Sequence, residues 1–209
     1  MKYASALAIG LVILAARPAH AKVVFSDNFT GGANAAWGNQ SGQWRAVKGT
    51  YDATVPGNGQ AHPVTYTDVT TETALTNFTV NVTVKDLNDG GVWLRSGYNG
   101  GQINGVLLVT GGNLGTYNGF YWHIVQNGVF SAQMNPAPLP GAQGSTQHLK
   151  IVVKGSTYSL YVGGAKTPLT TITTTAFTSG SAGLYDFSPN SGAPSPRGEV
   201  FDNFSINAQ

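Results

Sequence analysis

Four side chains able to do chemistry share one two-residue rhythm along two stretches of this 209-residue chain. The stretches are Asp89-Gly90-Gly91-Val92-Trp93-Leu94-Arg95-Ser96-Gly97-Tyr98 and Phe120-Tyr121-Trp122-His123-Ile124-Val125. Read as strands, they place Val92, Leu94, Phe120, Trp122 and Ile124 on one face and Trp93, Arg95, Tyr121 and His123 on the other. The first set is a core face. The second joins a permanent cation, an imidazole and two aromatic rings, a set suited to stacking on a ligand while Arg95 and His123 donate hydrogen bonds. Tyr98, Tyr117 and Asn118 lie in adjoining Gly-rich segments and are placed to form a rim. The same four residues also read as structural, with Trp93 and Tyr121 covering the face against a loop and Arg95 paired with Asp86 or Asp89.

A second chemical feature sits near the ends of the chain. In Phe25-Ser26-Asp27-Asn28-Phe29, Asp27 shares strand parity with Val23, Phe25 and Phe29; in Val200-Phe201-Asp202-Asn203-Phe204-Ser205-Ile206, Asp202 shares it with Val200, Phe204 and Ile206. An inward carboxylate must be paired or metal-bound, because an unpaired ion in low dielectric costs several kcal/mol. With the terminal strands side by side, one oxygen-liganded Ca²⁺ would serve both. The alternative is that each aspartate caps local amides or pairs with Arg45 or Lys48.

The elements that must position these residues are strands. No amphipathic helical period follows the first residues, whereas alternating segments recur between turn residues. The clearest is Asn77–Lys85, where Phe78, Val80, Val82 and Val84 alternate with polar residues. Leu149–Val153 and Tyr158–Val162, joined through Lys154-Gly155-Ser156-Thr157, read as a hairpin, and Gln126-Asn127-Gly128 supplies another tight turn. Further strands are expected at 23–29, 43–47, 50–53, 64–69, 91–98, 106–110, 172–177, 183–187 and 199–207. Asn135–Ser145 and Ser188–Gly198, rich in Pro and Gly, read as connections. More than ten short strands without helices predict an all-β, two-sheet antiparallel sandwich.

Met1-Lys2, the apolar run Ala6–Ala16 and the triplet Ala19-His20-Ala21 have the form of a signal peptide, giving a boundary of 1–21 and a single mature domain over 22–209. The run is too short to span a bilayer, so secretion to an extracellular or periplasmic space is expected, without membrane insertion. Removing it lowers Lys plus Arg from 11 to 9, matching the 9 acidic residues. A near-neutral chain lacks the basic patch that nucleic acid requires. There is no cysteine, so packing must stabilise the domain unaided by disulfides, with or without a metal.

Blocks occurring in order carry a resemblance: Phe25–Phe29, Gly42-Gln43-Trp44, Gly49-Thr50-Tyr51, Gly91–Arg95, Lys150–Gly163, Gly180-Ser181-Ala182-Gly183-Leu184-Tyr185 and Phe201–Phe204. Together they resemble the concanavalin A-like lectin/glucanase superfamily, within it the laminin-G-like jelly rolls and the 3-keto-disaccharide hydrolase domain. The resemblance implies a jelly-roll sandwich, a glycan or polysaccharide partner in a groove on the concave sheet, and a structural Ca²⁺ held by Asp27 or its neighbour, Gly49 and Asp202. It makes Trp93, Arg95, Tyr98, Tyr117, Tyr121 and His123 the expected ligand-binding set of a lectin-like domain. The glucanases' Glu-x-Asp-x-x-Glu strand is missing, and the only glutamates are Glu72 and Glu199. Glycoside hydrolysis ordinarily needs two carboxylates about 5 to 9.5 Å apart, so binding is expected over catalysis. The catalytic alternative is a polysaccharide lyase or 3-keto-glycoside hydrolase using Arg95, Tyr121 and His123, although the lyases' Gln-Ile-His and Tyr-x-Lys-x-Gly signatures are also missing. Asn-x-Ser/Thr triplets at Asn28, Asn39, Asn77, Asn81 and Asn203 read as incidental products of Asn/Thr-rich strands.

Overall fold

The computed structural model describes residues 21–55, 65–187 and 198–209. The expected signal peptide and most of the Ser188–Gly198 connection lie outside the described residues. The strands are β1 (Lys22–Asp27), β2 (Gln43–Val47), β3 (Thr50–Val55), β4 (Thr65–Asp68), β5 (Phe78–Val84), β6 (Gly90–Asn99), β7 (Gln102–Asn113), β8 (Asn118–Gln126), β9 (Val129–Phe130), β10 (Met134–Pro138), β11 (Gln147–Lys154), β12 (Thr157–Val162), β13 (Thr170–Thr173), β14 (Ser181–Asp186) and β15 (Val200–Ala208).

They form two antiparallel sheets. One runs β13-β12-β11-β5-β15-β3-β2, with β1 also paired to β15; the other runs β10-β8-β7-β6-β14-β4, with β9 also paired to β8. Alternation explains the layering. Phe78, Val80, Val82 and Val84 of β5 meet Val92 and Leu94 of β6 and Phe120 and Trp122 of β8 in one buried core between the sheets. Ile124, expected with them, is only half-buried. Removing such side chains from water is the main force holding the two layers together.

The β11–β12 hairpin closes with Lys154 opposite Thr157. The β8–β9 turn has positive φ at both Asn127 (51°) and Gly128 (72°), as a primed two-residue turn requires. β1 and β15 are neighbours, with Asp27 opposite Phe204. Two expectations need correction. The Asn135–Ser145 connection begins as a strand: β10 pairs with β8 and carries Pro136 and Pro138 at the end of the sheet order, where a missing N–H breaks no inner ladder. The 172–177 strand ends instead at Thr173, where Thr174 turns to accept the Ala176 amide on its hydroxyl.

The seven-stranded sheet is apolar on its second face as well. Tyr66, Trp93, Ile103, Leu107, Val109, Tyr121, Val125 and Tyr185 form a separate buried cluster there. That outer layer holds the residues of chemical interest.

Candidate functional site

The rhythm of β6 breaks after Leu94. Its register to β7 shifts between Leu94 and Gly97, and Arg95 takes a φ of 47°. The bulge turns Arg95 towards the opposite sheet. There its guanidinium donates to the Thr76 carbonyl (2.6 and 3.1 Å), the Gly155 carbonyl (2.7 Å), the Phe177 carbonyl (2.8 Å) and the Tyr158 hydroxyl (3.2 Å). The group also lies 5.3 Å from the Tyr158 ring centre. Gly180 permits this path, since a Cβ there would come within 2.4 Å of the Arg95 carbonyl carbon. Arg95 is therefore a buried cross-link among three loops, a correction to its expected place beside Tyr121 and His123. Neither Asp86 nor Asp89 is its partner.

Trp93 does face outward, but it is fully buried beneath Tyr66, Phe130 and Tyr185, whose ring centres lie 6.1–6.4 Å away. Its indole presents no face to a ligand, which corrects its expected stacking role. Among the described residues its Nε1–H has no acceptor. Tyr98 and Tyr117 are exposed, Tyr98 leaning on Tyr66 at 5.6 Å, and neither lines a cavity with Tyr121.

Tyr121 and His123 do come together. They line a cavity of about 450 Å³ with Asp89, Val109, Asn113, Phe130, Gln133, Tyr185 and Phe187. The Tyr121 and His123 rings meet edge to face at 5.3 Å, and His123 meets Phe130 the same way at 5.5 Å. His123 Nδ1 lies 2.7 Å from the Ser131 carbonyl. A carbonyl only accepts, so Nδ1 carries the proton and Nε2 is left as an acceptor. Burial lowers the imidazole pKa, so the ring is neutral at pH 7. Gly112 makes room for Tyr121: a Cβ there would sit 2.5 Å from the tyrosine hydroxyl.

Asp89 is the cavity's acid. It occupies a left-handed backbone position, φ 62°, between β5 and β6. Glu199 fixes that turn from below: its Oε2 accepts the amides of Asn88 (3.1 Å) and Gly90 (2.8 Å), on either side of Asp89. Thr110 donates to the other Glu199 oxygen. Burial pushes Asp89 up to about 6 and Glu199, fully buried, up to about 8. Burial first, and then the Asp89 charge, also raise Tyr121 and Tyr185, so both phenols stay neutral.

Asp89, Tyr185, Phe130, Phe187, Asn113 and Gln133 were not expected in the site. For Tyr185 and Phe187 a usable signal existed in their alternation with the core residue Leu184 on β14. For Asp89 the signal was its turn context, Asp89-Gly90-Gly91.

The chain-end aspartates behave differently from a metal cage. Asp27 Oδ1 accepts the Phe29 amide (2.8 Å), and Oδ2 accepts the Asn34 amide (2.7 Å) and Trp37 Nε1 (2.9 Å). Asp202 pairs with Lys85 at 2.9 Å and accepts the Asn203 amide. Among the described residues no group of three His, Cys, Asp or Glu is arranged to hold a metal. Asp27 thus serves as the amide cap of its loop, while Gly49 lies near the Asn28 carbonyl.

No family model and no curated protein matches the chain. Solved structures do. The carbohydrate binding module CBM66 from Bacillus subtilis aligns with a TM-score of 0.59 and 14% identity, over 83% of this chain and 96% of that one. The Emp47p carbohydrate recognition domain gives 0.56 and 14%, over 92% and 98%. LamAcat from Zobellia galactanivorans gives 0.53 and 12%, over 90% and 98%. At such identities the likeness concerns architecture. Two antiparallel sheets around one core, in the arrangement of these neighbours, make this chain a jelly-roll sandwich of the concanavalin A-like lectin/glucanase fold.

Proposed function

We propose that this protein is a secreted carbohydrate-binding domain whose ligand enters the cavity lined by β7, β8, β14 and the Asp89 turn. The observation that carries the reading is the cavity's composition: aromatic walls from Tyr121, Phe130 and Tyr185 around the polar groups of Asp89, His123, Asn113 and Gln133. Sugars present apolar C–H faces and a rim of hydroxyls, and such a mixed lining matches both. Neighbours of the same fold that are named for carbohydrate binding and recognition support the same class.

A two-carboxylate hydrolase fits less well. Asp89 is the only acid among the described lining residues, and Glu199 is buried behind it with its oxygens bonded to Asn88, Gly90 and Thr110. The lyase alternative loses the cation that would neutralise a uronate, because Arg95 points to the other sheet.

A glycan array with the full chain tests the reading. Binding to at least one neutral or amino-bearing glycan is expected, with at least a tenfold loss in His123→Ala at an unchanged melting temperature. Silence across the panel by folded wild-type protein rejects it. The Ca²⁺ proposal rests on Asp202 and main-chain oxygens near Asn28 and Gly49 rather than on the Asp27 carboxylate. A native-state ligand raises stability by mass action, so a melting temperature that falls on adding chelator supports it; an unchanged one removes it.

A further inference from the structure

Among the described residues the Asp89 carboxylate has no donor. Among the described residues no hydrogen bond or ion pair reaches its side chain, although the backbone on both sides is tied to Glu199. Among the described residues no lysine or arginine lines the cavity, and His123, with its Nδ1–H committed to Ser131, presents an acceptor. The cavity that holds this anion is also lined by Tyr121, Phe130, Tyr185 and Phe187, and the Asp89 charge reaches Tyr121 and Tyr185. A desolvated carboxylate in an aromatic-lined cavity is complementary to a compact organic cation: the anion supplies the charge partner, and the ring quadrupoles supply favourable walls. A metal ion is a poor match, since Ca²⁺ takes 6–8 oxygen ligands at about 2.3–2.6 Å and aromatic walls provide none.

From this geometry we infer that the cavity selects a protonated amine, borne on an amino sugar such as a 2-amino-2-deoxyhexose. The sugar half rests on the carbohydrate reading above; the amine half rests on Asp89 and its aromatic surround.

Isothermal titration of the full chain at pH 7 separates the two halves, using four probes: a β-1,4-linked glucosamine oligomer, its N-acetylated form, a neutral gluco-oligomer and tetramethylammonium chloride. The glucosamine oligomer is expected to bind at least tenfold more tightly than the acetylated and neutral ones. Asp89→Asn, nearly isosteric and tolerant of positive φ, is expected to erase that preference. Equal binding of amino and neutral oligomers, unaffected by Asp89→Asn, overturns the amine inference and leaves carbohydrate binding intact. Binding of tetramethylammonium as tight as the amino sugar, with neutral sugars silent, keeps the amine inference and rejects the carbohydrate reading. No heat from any probe with folded protein overturns both.

A wild-type measurement needs no variant. The titratable groups facing Asp89 are Tyr121 on β8, Tyr185 on β14, Glu199 before β15 and His123 across the cavity. Of these the phenols stay neutral between pH 5 and 7, burial holds the imidazole pKa below its ordinary value, and Glu199 ionises higher. Ionisation of Asp89 near 6 should therefore strengthen amine binding roughly tenfold from pH 5 to 7. Affinity that is flat or falls over that range counts against the inference.

Discussion

Arg95 shows how one backbone angle changes what a side chain is for. Its charge is satisfied by carbonyl oxygens and one phenol, with no carboxylate. Truncation leaves those acceptors buried without donors, at about 1–3 kcal/mol for each unsatisfied group. Arg95→Ala is expected to lower stability by roughly 3 kcal/mol in urea unfolding; a loss below about 0.5 kcal/mol, the scale of a surface substitution, would contradict the cross-link. Trp93 carries a related lesson. It is buried at the base of the outer layer, so Trp93→Ala would cost about 3–5 kcal/mol through a cavity. Lost ligand binding in that variant would report damaged packing. Strand alternation correctly assigned Val92, Leu94, Phe120, Trp122, Tyr121 and His123 to their faces. It failed at Arg95 because a bulge at a non-glycine φ of 47° has no local signal in Leu-Arg-Ser.

Among the elements, the β8–β9 hairpin links a turn to the cavity. Phe130, at the end of that short strand, both covers Trp93 and lines the cavity beside His123. Its position depends on Asn127-Gly128. A Cβ at Gly128 would meet Gln102 at an ordinary contact distance of 3.8 Å, so the cost of a side chain there comes from φ. Gly128→Ala should cost about 1 kcal/mol and weaken ligand binding alongside, seen by urea unfolding and titration calorimetry. Stability that falls while binding is untouched would separate the hairpin from the site. The turn was readable from Asn-Gly, and the β11–β12 hairpin from its spacing. The site itself was less readable, because His123 and Tyr185 lie on two strands, and Asp89 in the turn leading into a third, whose nearness appears only in the sheet order, β8-β7-β6-β14.

At the scale of the molecule, burial raises the pKa values of carboxyl groups, among them Asp68 and Asp89 to about 6 and Glu199 to about 8. Between about pH 4 and 6 the unfolded chain has released the aspartate protons while the folded protein keeps them, so stability falls as pH rises through that window. Glu199 extends the decline from about 4.5 towards 8. The thermal midpoint should accordingly be higher at pH 5 than at pH 8, and Glu199→Gln should flatten the slope between pH 6 and 8. Scanning calorimetry across that range decides; a midpoint that climbs from pH 5 to 8 would refute the assignment. The all-β class and the core between the sheets were legible from alternation alone, whereas these acids were not, because their burial arises from contacts across the fold such as Glu199 with Thr110.

The position of β15 has a consequence for how the molecule comes into being. This last strand sits between β5 and β3 and also pairs with β1, so β1, β2 and β3 reach β5 in their sheet only through it. Residue 22 meets residue 208, and residue 199 braces the turn that carries Asp89. A chain emerging from its N-terminus cannot close the eight-stranded sheet or brace the turn that carries Asp89 until Glu199 and β15 are available. Such long-range pairing makes folding slow, and it leaves β1, β2 and β3 unjoined to β5 until β15 has been made.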